Sequence, residues 1–426
     1  MGRKRRLALP AKQELVPRAR YCCLLFQVLT FLPLPCYNNG ILKLIAQVKL
    51  VVTPGQSEAL LKTLEAANAL CNGLSTWAWQ NKVFGKYAIQ TARYHQVRSE
   101  SGLTAQVVIR CIAKVANAYK TAFALHKEHV KRTERINKNR AAKNVPLKDL
   151  PVMEACAFRA HGSIAYDDRI LNWYVSKSEV SIWTTKGRLK LPFACSEFQK
   201  KLLTSQQGES DLIYRSGKWF LLAVCEVEDP PLKEVDGFLG VDLGRVQLAS
   251  DSEGNSYTGA DCMALRRRVK KHRTSLQKKG TKNARRRLQK QSRRQSRYSQ
   301  WLNHNIAKRI VQSASDSCKA ISLENLEGIR ERASAVRREL RWQIGNWSFA
   351  QLQNYIGYKA KAAGIPTVFV PAPYTSQTCS VCLHCERANR KSQSDFHCQQ
   401  CGFQTNADFN ASRNIARLGM EARAAL

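Results

Sequence analysis

Two Cys-x-x-Cys pairs, Cys379/Cys382 and Cys398/Cys401, stand in the run YTSQTCSVCLHCERANRKSQSDFHCQQCGFQTNADFNASRNIA at 374–416. Each pair forms a tight turn that aims two sulfurs at one ion, and the gap between the pairs fits a four-thiolate zinc site. Zinc suits four thiolates because it takes soft, tetrahedral ligands and has no redox chemistry. A shell closed by four protein ligands is structural, not catalytic. Cys385 extends the first pair to Cys379-x-x-Cys382-x-x-Cys385, so either Cys379 or Cys385 is the spare, and His384 and His397 compete. We favour Cys379 with Cys382, since a knuckle is followed by a turn. Leu383 sits in that turn where glycine is easier, while Cys401 is followed by Gly402.

Three carboxylates form the second constellation. Asp242 interrupts the apolar strand FLGVDLG, Glu324 ends the strand KAISL that begins at Lys319, and Asp408 opens a helix with Ala411, Ile415 and Leu418 on its inner face. Each has a plain alternative. A D-x-G strand also occurs in actin-like phosphotransferases, a strand-end Glu can be merely solvated, and Asp408 can be an N-cap. The order carries more: strand Asp, strand-end Glu, then a helix-start Asp after a further strand is the layout of an RNase H-type core. Converging carboxylates repel unless cations separate them, and magnesium is the hard ion that oxygen ligands suit. Two such ions activate a water and stabilise the leaving oxygen of a phosphodiester.

The elements that position these residues follow from the pattern. Alternation over 41–52 makes a half-buried strand. Thr53-Pro54-Gly55-Gln56 is a capping box with proline at the first helical position, starting a helix to about Lys82. A second long helix runs from about Thr104 to Asn137 and ends in a basic cluster, Lys127 to Arg140. Strands return at Val180–Trp183, Arg188–Phe193, Asp211–Tyr214 and Lys218–Val227, with a hairpin turn at Ser216-Gly217. The expectation is a β-barrel from 41–53 and 150–228, split by an all-helical insertion at 54–149. Asp229-Pro230-Pro231 to Asp236 is a linker. The second part, 236–374, holds strands at 238–244, 246–251, 256–258, 319–324 and 367–370 and a helix at 349–363. Its basic segment, 264–312, reads as a helical hairpin broken near Gly280 that contacts phosphates, with Leu276, Leu288, Trp301 and Ile306 as its packing residues. The zinc ribbon takes 375–407 and a last helix 408–426.

Charge sets the class of partner. The 426 residues carry 69 Lys+Arg against 32 Asp+Glu, a net +37. That balance points to a polyanion, nucleic acid ahead of an anionic membrane surface. The basic surfaces are separated in sequence: Lys127 to Arg140, Arg266 to Arg297, and Arg330 to Arg341. Fifteen cysteines, an odd number spread along the chain, suit reduced thiols and the cytosol. Residues 1–40 imitate a signal peptide, but Arg18 and Arg20 abut the apolar run and no small-residue cleavage site follows. We expect a disordered leader and no membrane segment.

GVDLG around Asp242, ISLENL around Glu324, YKAKAAGIP, YTSQTCSVC, CQQCG and NADFNASRNIA together resemble the TnpB family. These are transposon-encoded OrfB proteins, ancestral to compact type V CRISPR nucleases. The resemblance covers about Ile41 to Leu418 and is strongest from Gly237 on. It implies an α+β multidomain fold: a wedge β-barrel with a helical recognition insertion, then an RNase H-like RuvC nuclease domain with an inserted zinc ribbon. It implies an RNA-guided DNA endonuclease, with a guide RNA from the transposon's own end and a double-stranded DNA target beside a short motif. Asp242, Glu324 and Asp408 match the family's magnesium-binding catalytic acids, and Cys379, Cys382, Cys398 and Cys401 its zinc ligands. The cell site implied is the prokaryotic cytoplasm, at the nucleoid. Leu383 for the usual Gly and the extra Cys385 depart from the pattern. The rival readings are a CRISPR effector of the same fold, a non-cleaving regulator of transposition, and a DNA-joining transposase.

Overall fold

The computed structural model describes residues 40–142, 144–244, 246–326, 341–342, 349–371, 373–392 and 394–424. The expected leader, apart from Gly40, and most of the Arg330–Arg341 basic surface lie outside the described residues. The chain divides into two compact units, one built on 43–227 and the other on 228 onward.

The first unit begins with β1 (Ile41–Leu50), whose alternating burial places Ala46, Val48 and Leu50 inside. Thr53 and Gln56 make the expected reciprocal capping box at the start of α1 (Pro54–Asn81). Two more helices follow, α2 (Lys86–Ser101) and α3 (Ala105–Ala141). α2 has no counterpart in the sequence reading. Only Ile89 and Val97 of its residues are buried, so it carries no apolar stripe for periodicity to detect. The chain then returns through β2 (Ile164–Tyr166), β3 (Leu171–Tyr174), β4 (Glu179–Thr184), β5 (Gly187–Ala194), a short α4 (Glu197–Leu203), β6 (Gln206–Arg215) and β7 (Lys218–Glu228). β2 and β3 are too short to show alternation and were not anticipated. The β6–β7 turn has Ser216 at φ 55° and Gly217 at φ 77°, the doubly positive pair of a tight hairpin.

These strands form one sheet in the order β2-β6-β7-β1-β5-β4-β3. Its two edge strands are consecutive in the chain, joined only by Asp167–Ile170. The sheet therefore curls back on itself as a near-closed barrel. The Tyr166 hydroxyl donates to the Trp183 carbonyl at 3.2 Å, tying β2 to β4. Val48, Ile182, Leu191 and Leu221 share one core with Leu60 and Leu64 of α1 and Ile112 and Val115 of α3.

The second unit is a five-stranded sheet, β10-β9-β8-β11-β12. Its strands are β8 (Gly237–Asp242), β9 (Gln247–Asp251), β10 (Ser256–Thr258), β11 (Lys319–Asn325) and β12 (Thr367–Pro371). β8, β11 and β12 run parallel, while β9 pairs antiparallel with both β8 and β10. The basic segment forms two helices, α5 (Ala260–Lys279) and α6 (Lys282–Asp316), broken at Gly280 with φ 62°. Leu276 and Ile306 are buried as expected, but Trp301 is 61% exposed and does not pack inside. α7 (Phe349–Ala362) lies on α6, and Leu352 and Ile356 join Ile306, Ile310, Leu239 and Leu323 in the core. The hairpin of β13 (Asp395–His397) and β14 (Gln404–Asn406) leads into α8 (Ala407–Ala424).

α8 lies directly on the sheet because two glycines leave it room. A Cβ on Gly240 would fall 2.0 Å from the Ser412 carbonyl oxygen, and one on Gly419 would fall 2.8 Å from Ser322 Oγ. The Ser322 hydroxyl then donates to the Ile415 carbonyl at 2.9 Å. Ala411 and Ile415 are buried against the strands, whereas Leu418 is only half-buried.

Candidate active site and metal centre

β8 and β11 pair in parallel with Val241 opposite Leu323. Asp242 and Glu324 each follow at the next position, so they sit side by side at one end of the sheet. Glu324 is inside β11, one residue short of its end, and only 7% exposed. It is not a solvated strand-end acid. α8 brings the third carboxyl, Asp408, also 7% exposed. Asp408 is not the N-cap: Asn406 Oδ1 accepts from the Asp408 and Phe409 amides at 2.9 and 3.3 Å. Asp408 lies in the first helical turn, where exposed N–H groups favour a negative charge.

Burial pushes the Asp242 carboxyl well above the usual carboxylate range, and the Glu324 and Asp408 carboxylates push it further. Burial also raises Glu324, with the Thr375 hydroxyl and Arg390 pulling the other way. Thr375 donates to Glu324 Oε1. The Arg390 guanidinium stands 3.6 Å from Asp408 Oδ1 and lowers both other acids. Arg390 and Thr375 were missed by sequence reasoning. Both lie in segments that read as ribbon or approach loop, and no spacing rule links them to acids far along the chain.

The Cys379, Cys382, Cys398 and Cys401 sulfurs lie within 4.8 Å of one another. The Cys379–Cys401 and Cys382–Cys398 separations are 3.7 and 3.5 Å. A tetrahedron with bonds of about 2.3 Å to sulfur has edges of about 3.8 Å, so the spacing fits a four-thiolate metal site. The two knuckles share the same backbone turn bonds. Leu383 N donates to Cys379 O at 3.0 Å and Gly402 N to Cys398 O at 3.1 Å. The turn residues have φ 65° at Leu383 and 73° at Gly402, so leucine does occupy a glycine-type position. Cys385 is exposed and outside the cluster. His384 faces Glu386, and His397 faces Lys391 and Gln404.

Side-chain amides tie this ribbon to α8. Asn389, fully buried, donates to the Gln377 and His384 carbonyls and accepts from Gln399 N, joining both knuckles. Asn410 and Asn414 of α8 both donate to the Thr378 carbonyl at 2.7 Å, and Asn414 also reaches the Thr375 carbonyl. The ribbon, the loop carrying Thr375, and the helix carrying Asp408 are thus one hydrogen-bonded assembly.

Residues 349–415 match the model of the Cas12f1-like TNB domain. The chain is 28% identical over 247 residues to the CRISPR-associated endodeoxyribonuclease Cas12f1 of Syntrophomonas palmitatica, covering 47% of this chain and 48% of that protein. It is 29% identical over 128 residues to a TnpB-like protein of Methanocaldococcus jannaschii, 30% of this chain and 45% of that one. Over these stretches the chain is similar to TnpB-like and Cas12f proteins. It spans about half the length of the curated relatives it matches. Its fold is similar to that of Cas12f1 in a Cas12f1–sgRNA–target DNA complex solved by cryo-EM, with TM-score 0.54 and 16% identity over 86% of this chain and 83% of that one. Among the described residues no helix is long and apolar enough to cross a membrane.

Proposed function

We propose that this TnpB-type protein is an RNA-guided DNA endonuclease of a transposon, hydrolysing phosphodiesters in a RuvC-type, RNase H-like site. The observation that carries the reading is the convergence of Asp242, Glu324 and Asp408 at one end of the second sheet. Burial, and after it repulsion from Glu324 and Asp408, raises the Asp242 pKa; a bound cation would relieve both, so the donor set fits Mg²⁺. Asp242, Glu324 and Asp408 would hold it. When bound, it supplies an activated water and charge stabilisation at the leaving oxygen. The chain's own groups prepare the site: Thr375 fixes one oxygen of Glu324, Arg390 pairs with Asp408 and pulls the Asp242 and Glu324 pKa values down, and Asp408 sits in the first turn of α8. The four cysteines would hold structural zinc, which would fix the ribbon, and Asn410 and Asn414 tie the ribbon to the entry of α8.

In this reading the barrel, 41–53 with 150–228, is a wedge, 54–149 a recognition insertion, 236–374 with 408–426 the nuclease, and 375–407 the ribbon. The partners are a guide RNA from the transposon end and a double-stranded DNA target. A TnpB-type origin and a net charge of +37 support them, as does the guide-bound Cas12f1 fold neighbour. Work in the prokaryotic cytoplasm, at the nucleoid, follows. A non-cleaving regulator has no use for three paired acids.

The test is substitution. Asp242→Ala, Glu324→Ala and Asp408→Ala each lower Mg²⁺-dependent cleavage by more than about a hundredfold, since loss of outer partners alone costs about 10–100-fold. Target binding persists, because phosphate contacts by Lys and Arg are untouched. Near-normal cleavage by any one of the three removes that residue from the site.

A further inference from the structure

Trp301 projects from α6 into solvent, although the helix buries Asn303, Ile306, Ala307 and Ile310 on its other face. Single exposed apolar residues are ordinary on protein surfaces. This one is not single. The Tyr298 ring, one turn back, stacks on it with centroids 6.0 Å apart and planes at 30°. His304, one turn on, stacks on Tyr355 of α7 at 3.8 Å and 14°. Positions 294, 297, 298, 301, 304 and 308 share one helical face, so Arg294, Arg297 and Lys308, all exposed, flank the rings. No Asp or Glu occurs between Asp261 and Asp316.

We propose that the Tyr298–Trp301 pair is a stacking platform for unpaired nucleobases of a single strand that runs along α6. This deepens the reading above by naming what that helix holds. The cationic flanks select a polyanion backbone. The flat rings select the faces of its bases, which every base offers and a duplex hides within its stack. Phosphate contact alone would give the sequence no reason to place tryptophan on a face otherwise solvated by arginine and lysine.

The test is binding by the full chain without divalent metal, so that it is independent of cleavage. Labelled oligo-dT and oligo-U strands, an abasic strand of equal length, and a duplex are titrated against wild type, Trp301→Ala and Trp301→Phe. Stacking contributes about 1–3 kcal/mol per base, so Trp301→Ala weakens dT and U strands by about fivefold or more. Trp301→Phe retains most of the affinity, and the abasic strand and duplex bind all three alike. Strands carrying 5-iodouracil cross-link to the tryptic peptide 298–308. An unchanged dT affinity in Trp301→Ala, an equal loss on the abasic strand or duplex, or cross-links only elsewhere would overturn the platform. Those results leave the acids' role standing, and loss of cleavage with stacking intact does the reverse.

Discussion

The fold places Asp242 at a cost, because burial and two neighbouring carboxylates oppose its charged form. A carboxyl whose pKa rises on folding holds its proton more tightly in the folded chain than in the unfolded one. Its contribution is therefore intact below the unfolded pKa and is lost as pH climbs through the raised value. Metal-free protein should lose thermal stability from acid to neutral pH, and Asp242→Asn should flatten that loss. At neutral pH in EDTA the variant should melt higher, by roughly 2–4 °C for each 1 kcal/mol relieved. A lower melting point would show that the acids do not strain the metal-free fold. At the ribbon, Cys398→Ser should lose zinc and Cys385→Ser should keep it. Metal analysis decides, since zinc retained in Cys398→Ser or lost from Cys385→Ser breaks the ligand set. The cysteines and acids were legible because their chemistry demands fixed types and spacings. Arg390, Thr375 and Asn389 were not, because what recruits them is proximity created by folding.

At the scale of elements, the site depends on how closely α8 lies on β8 and β11. Gly240→Ala would drive a methyl into the backbone of Ser412 and Ala416, which has no flexible end to yield. Overpacking of this kind costs about 1–3 kcal/mol. The expected outcome is a lower denaturation midpoint and weaker cleavage together, while Gly357→Ala, in open space within α7, lowers neither, since alanine favours a helix interior over glycine. A Gly240→Ala protein as stable and active as wild type would mean that α8 need not sit this close. The strands bearing Asp242 and Glu324 were readable from their apolar runs, and α1 from its capping box. α2 escaped because two buried residues make no periodic face. Trp301 was misjudged because an aromatic ring in a helix signals packing without saying against what.

For the whole molecule the dominant fact is charge. A net +37 on 426 residues exceeds what one short duplex footprint needs, and described parts of it lie in both units: the end of α3 in one, α5 and α6 in the other. A protein that reads DNA with its own side chains presents a recognition helix or finger array, and neither is found among the described residues. Delegating sequence to base pairing accounts for both observations, because the protein then grips a heteroduplex by backbone and shape. Charge and pattern in the sequence already pointed to a nucleic-acid partner. The near-closed barrel needed the structure, since β2 and β3, whose adjacency curls the sheet, are too short to announce themselves. The most direct measurement is cleavage of a defined DNA by protein purified at high salt and treated with RNase. The account predicts that site-specific cutting is lost and returns only with a matching RNA, at the site that RNA specifies. RNA-free protein that still cuts one defined sequence, or a cut site that no RNA can redirect, would contradict it.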